Sequence, residues 1–584
     1  MSKEATDEFT VILYKRRWFA LLIFCFCSFA NAYQWIHLNI ISDRVLFLWD
    51  ASIPGSSDDV KMISVDWLSM IYMLTYIPLI FPSTWILNKW GLRITLLVAT
   101  ALNAVGAWTK CVAGTLTYET TYGMPDQTTP ISNKFGFPIL MIGQTICGIA
   151  QSGILGIPAH LAAIWFGENE VSTATSLGVF GNQIGVAVGF LIPPLIVPMI
   201  PYSSHNANML DPTVNVIELF NQIKHYMMIL LYFSAALNSL PFILVLVGFR
   251  AKPPTEPTLA QYKRYGLKSM NDQLHNDKSI NCLHTKTNNN GNLQKEFYSK
   301  SSDAVYYPNL NSISTIKQNT TDNNDVMMTN FIIHVDDVNN DCIEDSTTTN
   351  RMSETINHDY RNEKIWSSLK RLCKNIPFVL LFISYGMITG VYYAVSTLLN
   401  SILLGYFTDS SLFGWAGFTM IVAGIFGSVL AGIVLDKTKK FKLVTCIIYI
   451  ASLIWMGIFT GTLYLYSMTF VFISMACLGF FMTGYLSIGF ELAAEITYPE
   501  SEGLTSGLLN TSAQIFGLIL IHVATPLRTH YGVLPENLFL TSLLAVGSLL
   551  TVLIKENLRR QQAHEHMNKL LTEQINKELG SEVN

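Results

Sequence analysis

Residues 148–155 read GIAQSGIL and are followed by LAA at 161–163, and residues 479–486 read GFFMTGYL and are followed by LAA at 492–494. The two stretches share one pattern of small and apolar residues at a constant offset of 331 (148 to 479, 161 to 492). Chance matching of small residues is the alternative explanation, but it does not account for the shared spacing. A repeat at a fixed offset indicates two halves of related structure.

The composition around this repeat is that of a membrane protein. The chain of 584 residues is 50% apolar and only 13% charged, whereas a soluble protein carries about 25% charged residues. The net charge of −4 shows no basic excess, so nucleic acid is not an expected partner. The nine cysteines have no metal or disulfide spacing, and no nucleophile–base cluster is visible, so we expect neither a cofactor nor an enzyme.

Twelve apolar stretches are long enough to cross a bilayer as helices, which takes roughly 20 residues each. Six precede a long polar stretch and six follow it. They run approximately over 18–41, 63–88, 93–113, 136–166, 171–199, 225–249, 376–406, 412–435, 443–466, 469–495, 504–526 and 536–554. We number them spans one to twelve.

Six spans, a long loop and six more spans, with a repeat between the halves, are typical of major facilitator transporters. We therefore predict an all-α polytopic membrane protein with the major facilitator fold and 12 transmembrane helices in two pseudo-symmetric six-helix bundles. The predicted segments are an N-terminus (1–17), the first bundle (18–250), a central loop (251–372), the second bundle (373–554) and a C-terminal tail (555–584). The Asn-rich composition of the loop predicts disorder, because it offers little apolar surface to bury.

Basic residues indicate the orientation of the chain in the membrane. They concentrate at 15–17, 89–93, 437–442 and 555–560. With twelve spans, all four segments fall on the same side. Short loops on the cytoplasmic side carry an excess of Lys and Arg, so we predict that both termini and the central loop are cytoplasmic.

The loops on this predicted inner side also carry charges that could form a gate. The stretch 432–437 (GIVLDK) matches the superfamily's loop of Gly, three residues, Asp and a basic residue. The equivalent loop of the first half has Asn88 at the acidic position. We expect ion pairs between the halves to close the inner side, and solvated loop charges are the alternative. The candidates are Arg93, Asp436, Lys437, Lys440, Glu491, Glu495, Glu500 and Glu502.

Ionisable side chains deep in a span are costly and therefore mark functional sites. We find no carboxylate, Lys or Arg near the middle of any span, where proton-coupled and anion carriers need them. Aromatic and amide side chains remain for recognition. Trp35 and Tyr393 lie in spans one and seven, and Gln151 and Gln514 lie in spans four and eleven.

These four side chains suggest a cage for a cation. Aromatic faces attract a quaternary ammonium group by about 2 kcal/mol or more when the site is desolvated. The amides could orient a hydroxyl or ammonium hydrogen. The alternatives are packing aromatics and interhelical hydrogen bonds, which amides in membranes commonly form.

Several stretches closely resemble the feline leukaemia virus subgroup C receptor family, a branch of the major facilitator superfamily. They include 31–36 (NAYQWI), 106–111 (GAWTKC), 165–174 (WFGENEVSTA), 393–400 (YAVSTLLN) and 495–510 (EITYPESEGLTSGLLN). The resemblance implies a facilitative carrier for choline and ethanolamine in the plasma membrane. Members have also been described as haem transporters.

The resemblance also implies roles for particular residues. The family's choline cage is a Trp in span one and a Tyr in span seven, which match Trp35 and Tyr393. Its polar lining includes Gln in spans four and eleven, which match Gln151 and Gln514. His160 is a departure, because the family pattern suggests Arg or another residue at that end of span four.

The leading hypothesis is a monomeric uniporter that works by alternating access. A cation that enters a negative cell gains about 2.3 kcal/mol per 100 mV, which can concentrate it without a coupling ion. Haem transport is the alternative, with His37 and His522 as possible ligands, although nothing in the sequence pairs them. A membrane receptor or scaffold without transport is a further alternative, and the two-half repeat argues against it.

Overall fold

The computed structural model describes most of the chain. The described residues are 9–55, 57–116, 134–167, 170–203, 206–210, 215–254, 316–323, 326–333, 365–407, 409, 411–438, 440–500, 502–555 and 558–562. Most of the central loop and of the C-terminal tail lies outside these ranges, and so do the predictions that concern those parts.

The described residues are mostly helical, because a helix satisfies its own backbone hydrogen bonds where no water is available. The helices are α1 (Arg16–Ile36), α2 (Ser42–Trp49), α3 (Asp58–Trp90), α4 (Leu92–Thr115), α5 (Gly136–Ser152), α6 (Ile157–Trp165), α7 (Val171–Ile196), α8 (Val216–Gly248), α9 (Ile365–Lys374), α10 (Ile376–Leu404), α11 (Ser411–Thr438), α12 (Phe441–Leu463), α13 (Met468–Thr497), α14 (Glu502–Tyr531) and α15 (Val533–Leu553). The strands are β1 (Phe9–Leu13), β2 (Tyr202–Ser203), β3 (Asn206–Leu210), β4 (Ile316–Asn323) and β5 (Val326–Ile333).

Eleven helical segments of the described chain are long and apolar enough to cross a membrane, and they correspond to eleven of the twelve predicted spans. The fourth span, 136–166, is not one continuous helix. It consists of α5 and α6 with a turn at 153–156 between them. Gly153 and Gly156 favour the turn because glycine is a poor helix former. Pro158 has no N–H to donate to a carbonyl oxygen of the preceding turn, so it weakens a helix that would run through it.

Contacts divide the chain into two compact units. The larger unit comprises Phe19–Ala162, Ser172–Ala251 and Glu363–Asn584, and the smaller unit comprises Met1–Trp18, Ala163–Val171 and Lys252–Asn362.

The smaller unit contains an antiparallel sheet in the order β1-β5-β4. Phe9 pairs with Phe331, and Ile316 pairs with Ile333. Two segments of the predicted disordered loop are therefore strands. The β5 sequence VMMTNFII contains β-branched and aromatic residues that favour strands, a local property that the average composition of the loop conceals.

In the larger unit, the repeated stretches make equivalent contacts. Gly148 lies in span four, and a Cβ there would come within 2.7 Å of Thr75 Oγ1 in span two. Gly479 lies in span ten, and a Cβ there would overlap the carbonyl oxygen of Met420 in span eight. Small residues allow helices in membranes to approach closely. The repeat thus specifies the same helix crossing in each half.

Candidate functional site

The two aromatic residues predicted for the cage are in contact. Trp35 lies in the last turn of α1 and Tyr393 near the middle of α10. Their ring centroids are 5.3 Å apart, and the ring planes meet at 71° in an edge-to-face arrangement. Trp35 is buried, and Tyr393 is partly buried. The contact joins the first half of the helical unit to the second.

The Tyr393 ring is supported from α14. A Cβ on Gly517 would lie 3.0 Å from Tyr393 Cδ2 and 2.9 Å from Met73 Sδ. No larger residue fits there without movement of the ring. Gly517 follows the candidate Gln514 by three residues, so Gln514 and the support for Tyr393 lie on nearly the same side of α14.

The two candidate glutamines lie in α5 and α14, but they are not hydrogen-bonded to the Trp35–Tyr393 pair within the described chain. Gln151 is the penultimate residue of α5, next to the break in span four, and its Oε1 is buried without a hydrogen-bond partner among the described residues. Gln514 is buried in α14. A buried acceptor without a partner costs about 1–3 kcal/mol, so Gln151 Oε1 is suited to accept a hydrogen bond from a bound molecule.

A buried ionic cluster joins the halves at one end of the helices. Arg528 of α14 lies 3.6 Å from Asp66 Oδ2 in α3 and 3.8 Å from Glu536 Oε1 in α15. Thr525 also donates a hydrogen bond of 2.9 Å to Asp66 Oδ2. All four side chains are buried. We call the end that carries this cluster the closed end.

Further polar contacts join the halves at the closed end. Asn400 of α10 donates to Ser42 Oγ at 2.9 Å and to Asp43 Oδ1 at 3.0 Å, and both acceptors lie in α2. Ser69 of α3 and Thr397 of α10 share a hydrogen bond of 2.9 Å. These contacts hold α2 and span two against span seven on this side.

The spans therefore carry more buried charge than the sequence pattern predicts. Asp43, Arg44, Asp66, Lys110 and Glu536 are not among the candidates predicted from the sequence, although all of them are buried. The available signal was a charged residue within or next to an apolar run, such as the lysine in GAWTKC. The prediction concerned charge near the middle of each span, whereas these residues lie towards the closed end.

Lys110 is part of a buried network in the first half. Its Nζ donates to Oε1 of Gln34 and, at 2.7 Å, to Oε1 of Gln144. The Gln144 amide donates to the backbone oxygen of Gln34 at 3.0 Å. His37 Nδ1 lies 3.1 Å from the same oxygen. The network thus surrounds the residue that precedes Trp35.

The gating candidates lie at the opposite end, and two of them have partners within their own half. Glu495 is buried and lies 3.5 Å from Arg560 Nε. Glu500 accepts hydrogen bonds of 2.6 and 3.2 Å from Arg371. Neither arginine was among the predicted partners.

The other gating candidates fall into three groups. Arg93 donates to the Leu246 backbone oxygen at 3.0 Å, again within one half. The side chains of Lys437, Lys440 and Glu491 are exposed. The side chains of Asp436 and Glu502 lie outside the described residues. The ion pairs between the halves, which we expect when the closed end opens, stay a prediction.

The two histidines considered for haem pack on different aromatic rings. His37 stacks on Tyr33 with a centroid distance of 5.1 Å. His522 lies against Trp67 at 6.4 Å. Within the described part of the chain, no group of three metal-ligating side chains occurs.

Comparisons of the sequence and of the structure with known proteins all find major facilitator transporters. A family model described as Major Facilitator Superfamily matches residues 18–521. The chain is 36% identical over 560 residues to the choline/ethanolamine transporter FLVCR2 of Rattus norvegicus, with 96% of this chain and 78% of that protein covered. It is 36% identical over 548 residues to the choline/ethanolamine transporter FLVCR1 of Mus musculus, with 93% and 76% covered. The inward-open xylose transporter XylE of E. coli has the same fold, with a TM-score of 0.55, 12% identity and coverage of 92% and 95%.

Proposed function

Since the chain belongs to the FLVCR family of the major facilitator superfamily and is a multi-pass membrane transporter, we propose that it carries choline and ethanolamine by facilitated diffusion across the plasma membrane. The observation that carries this proposal is the contact between Trp35 and Tyr393 across the two halves. An ammonium group held by both rings would bind the two halves at once.

The aromatic pair suits an organic cation. Cation–π attraction is strongest where water is excluded, and Trp35 is only 7% exposed. A buried carboxylate would attract the same cation at a much larger desolvation cost. The two rings come from different halves, so a bound cation interacts differently with the inward-facing and the outward-facing conformation. A substrate needs this difference in affinity in order to shift the equilibrium between the two conformations.

The break in span four supports the proposal that Gln151 forms a polar part of the substrate-binding site. Interrupted helices in transporters commonly mark binding sites, because their backbone is tolerated only where it meets protein or a cavity. Gln151 precedes the turn, and its backbone oxygen accepts from the N–H groups of Ile154 and Leu155. Its side-chain oxygen is then available for the hydroxyl group of choline or ethanolamine. Gln514 would line the other half.

Alternating access follows from the contacts at the two ends. With the termini and central loop in the cytoplasm, as the basic loops predict, the closed end would be extracellular, and this conformation would be closed on its outer side. The Asp66–Arg528–Glu536 cluster then acts as the outer gate. When it opens, Glu495 and Glu500 would exchange their partners for basic residues of the first half, such as Arg93.

The substrate itself would supply the driving force. Its positive charge gains about 2.3 kcal/mol per 100 mV on entering a negative cell. No proton or sodium gradient is required, and one polypeptide contains both halves of the site, so we propose a monomeric uniporter.

Uptake of radiolabelled choline by cells that express the chain tests this function. We expect saturable uptake above that of untransfected cells, with unlabelled ethanolamine as a competitor and haem without effect. Competition by haem but not by ethanolamine would favour haem transport instead. No saturable uptake despite protein at the cell surface would favour a receptor or scaffold.

A further inference from the structure

Lys110 is a buried polar residue that the proposed mechanism does not use. It lies in the last turns of α4, and its side chain is completely buried. A buried amine is costly unless hydrogen bonds replace its hydration. Its two partners are amide oxygens, on Gln34 of α1 and Gln144 of α5. The residue therefore ties three helices together at one point.

The packing of α4 against α5 makes room for this side chain. A Cβ on Gly143 would lie 2.8 Å from Lys110 Cγ and 2.8 Å from the backbone oxygen of Gly106. Glycine at 143 thus lets the two helices approach closely and lets the lysine stem pass between them. The amine is directed towards the end of α1.

The end of α1 needs such partners. The last carbonyl oxygens of an α-helix receive no hydrogen bond from within the helix, so donors from outside the helix must satisfy them. Because α1 ends at Ile36, the carbonyl of Gln34 is one of them, and the side-chain amide of Gln144 donates to it at 3.0 Å. Lys110 orients this amide and the Gln34 side chain together.

Trp35 follows Gln34 directly, and its indole contacts Tyr393 of the other half. We infer that Lys110 and Gln144 are positioning residues that hold the end of α1 and thereby fix the indole of Trp35 for cation binding. They act on the substrate only through α1. This inference rests on the proposed function, because it takes Trp35 as part of the binding site.

The Lys110→Met variant tests the inference in choline uptake by intact cells, with rates normalised to transporter at the surface. Methionine keeps an apolar stem of similar length and removes the hydrogen-bond donors. We expect KM for choline to rise about tenfold, which corresponds to about 1.4 kcal/mol of weakened binding, with a smaller change in maximal rate. Thr109→Val is the control, because its hydroxyl donates to the Val105 backbone oxygen of the same helix.

A second variant covers the case in which Lys110→Met does not reach the surface. Gln144→Glu keeps an acceptor for Lys110 and removes the donor to the Gln34 carbonyl. We expect the same rise in KM. A wild-type KM in whichever of these variants reaches the surface overturns the inference.

The combination with Trp35→Ala separates positioning from general structural support. If Lys110 acts through Trp35, adding Lys110→Met to Trp35→Ala leaves kcat/KM unchanged, because coupled residues are not additive. A further fall by the same factor as in the single variant overturns the inference. Wild-type uptake by Trp35→Ala alone would instead overturn the proposed site.

Discussion

Asp66 and Arg528 are separated by most of the chain, yet their side chains lie 3.6 Å apart in the buried interface between α3 and α14. Each belongs to a different half, and Glu536 lies 3.8 Å from the other side of the guanidinium group. Opening this end requires separation of the charges. Breaking a buried pair leaves an uncompensated charge, so the cluster stabilises the conformation in which this end is closed.

Arg528→Met removes the only cation of the described cluster and leaves two buried carboxylates unpaired. Breaking such a pair costs about 3–5 kcal/mol, so we expect a lower melting temperature of the purified transporter and greater accessibility of a cysteine at position 69 to a membrane-impermeant reagent. Lys61→Met is the control, because its pair with Asp50 is partly exposed and worth less than about 1 kcal/mol. Equal effects of both variants would contradict the gate.

Trp35→Ala removes one face of the proposed cage, and we expect loss of most choline uptake because about 2 kcal/mol of cation–π attraction is lost. Trp35→Phe keeps a smaller ring and should retain part of the uptake, and Tyr393→Phe, which keeps the ring and loses only the hydroxyl group, should retain most. Initial rates normalised to surface protein measure this. Equal losses in Trp35→Ala and Trp35→Phe would show that shape rather than the π-face matters.

Gly517→Ala places a methyl group 3.0 Å from Tyr393 Cδ2 and 2.9 Å from Met73 Sδ, so the ring has to shift. We expect a higher KM for choline with normal surface expression. Gly507→Ala is a matched control in the same helix, because a Cβ there meets nothing within 4 Å. The idea that Gly517 supports the ring is wrong if the two alanines behave alike.

Charge reversal tests the inner gate. Glu500→Arg places like charges opposite Arg371, with which Glu500 now forms hydrogen bonds of 2.6 and 3.2 Å. We expect a changed balance of inward and outward conformations, measured by cysteine accessibility at the closed end, and recovery in the double variant Glu500→Arg/Arg371→Glu. An unchanged balance in the single variant would assign this pair to the solvated surface, where ion pairs contribute little.

The proposed driving force predicts that choline uptake persists when sodium is replaced and changes little between about pH 6.5 and 8, where histidine is the side chain that ordinarily titrates. Uptake should fall when high external potassium depolarises the cell, because the substrate carries the moving charge. Titratable groups within the described spans, such as Asp66, Glu536, His37 and His160, could couple protons instead. Uptake driven by a pH gradient at zero voltage, and lost on replacing one of them, would overturn uniport.

The sequence alone was sufficient for the elements that the bilayer imposes. Each span needs a long apolar run, and this requirement is local, so the order of residues along the chain predicts twelve spans and the two-half repeat, and the described chain contains eleven of these spans as long apolar helical segments. The sequence also proposes Trp35 and Tyr393 as binding residues, from their types and their family context; the structure shows the two rings in contact, and their role in binding stays a prediction. The break in span four was missed, although Gly153, Gly156 and Pro158 were visible, because the hydrophobic run continues across them.

Only the tertiary structure decided which polar groups meet. The pairing of Asp66 with Arg528 and the contact of Lys110 with Gln34 join helices that are distant in sequence. Hydrophobicity along one span shows that a charge is costly there, but it does not show which partner offsets the cost. That partner is set by the packing of small residues, such as Gly143 against α4, which fixes how closely two helices approach and where their side chains reach.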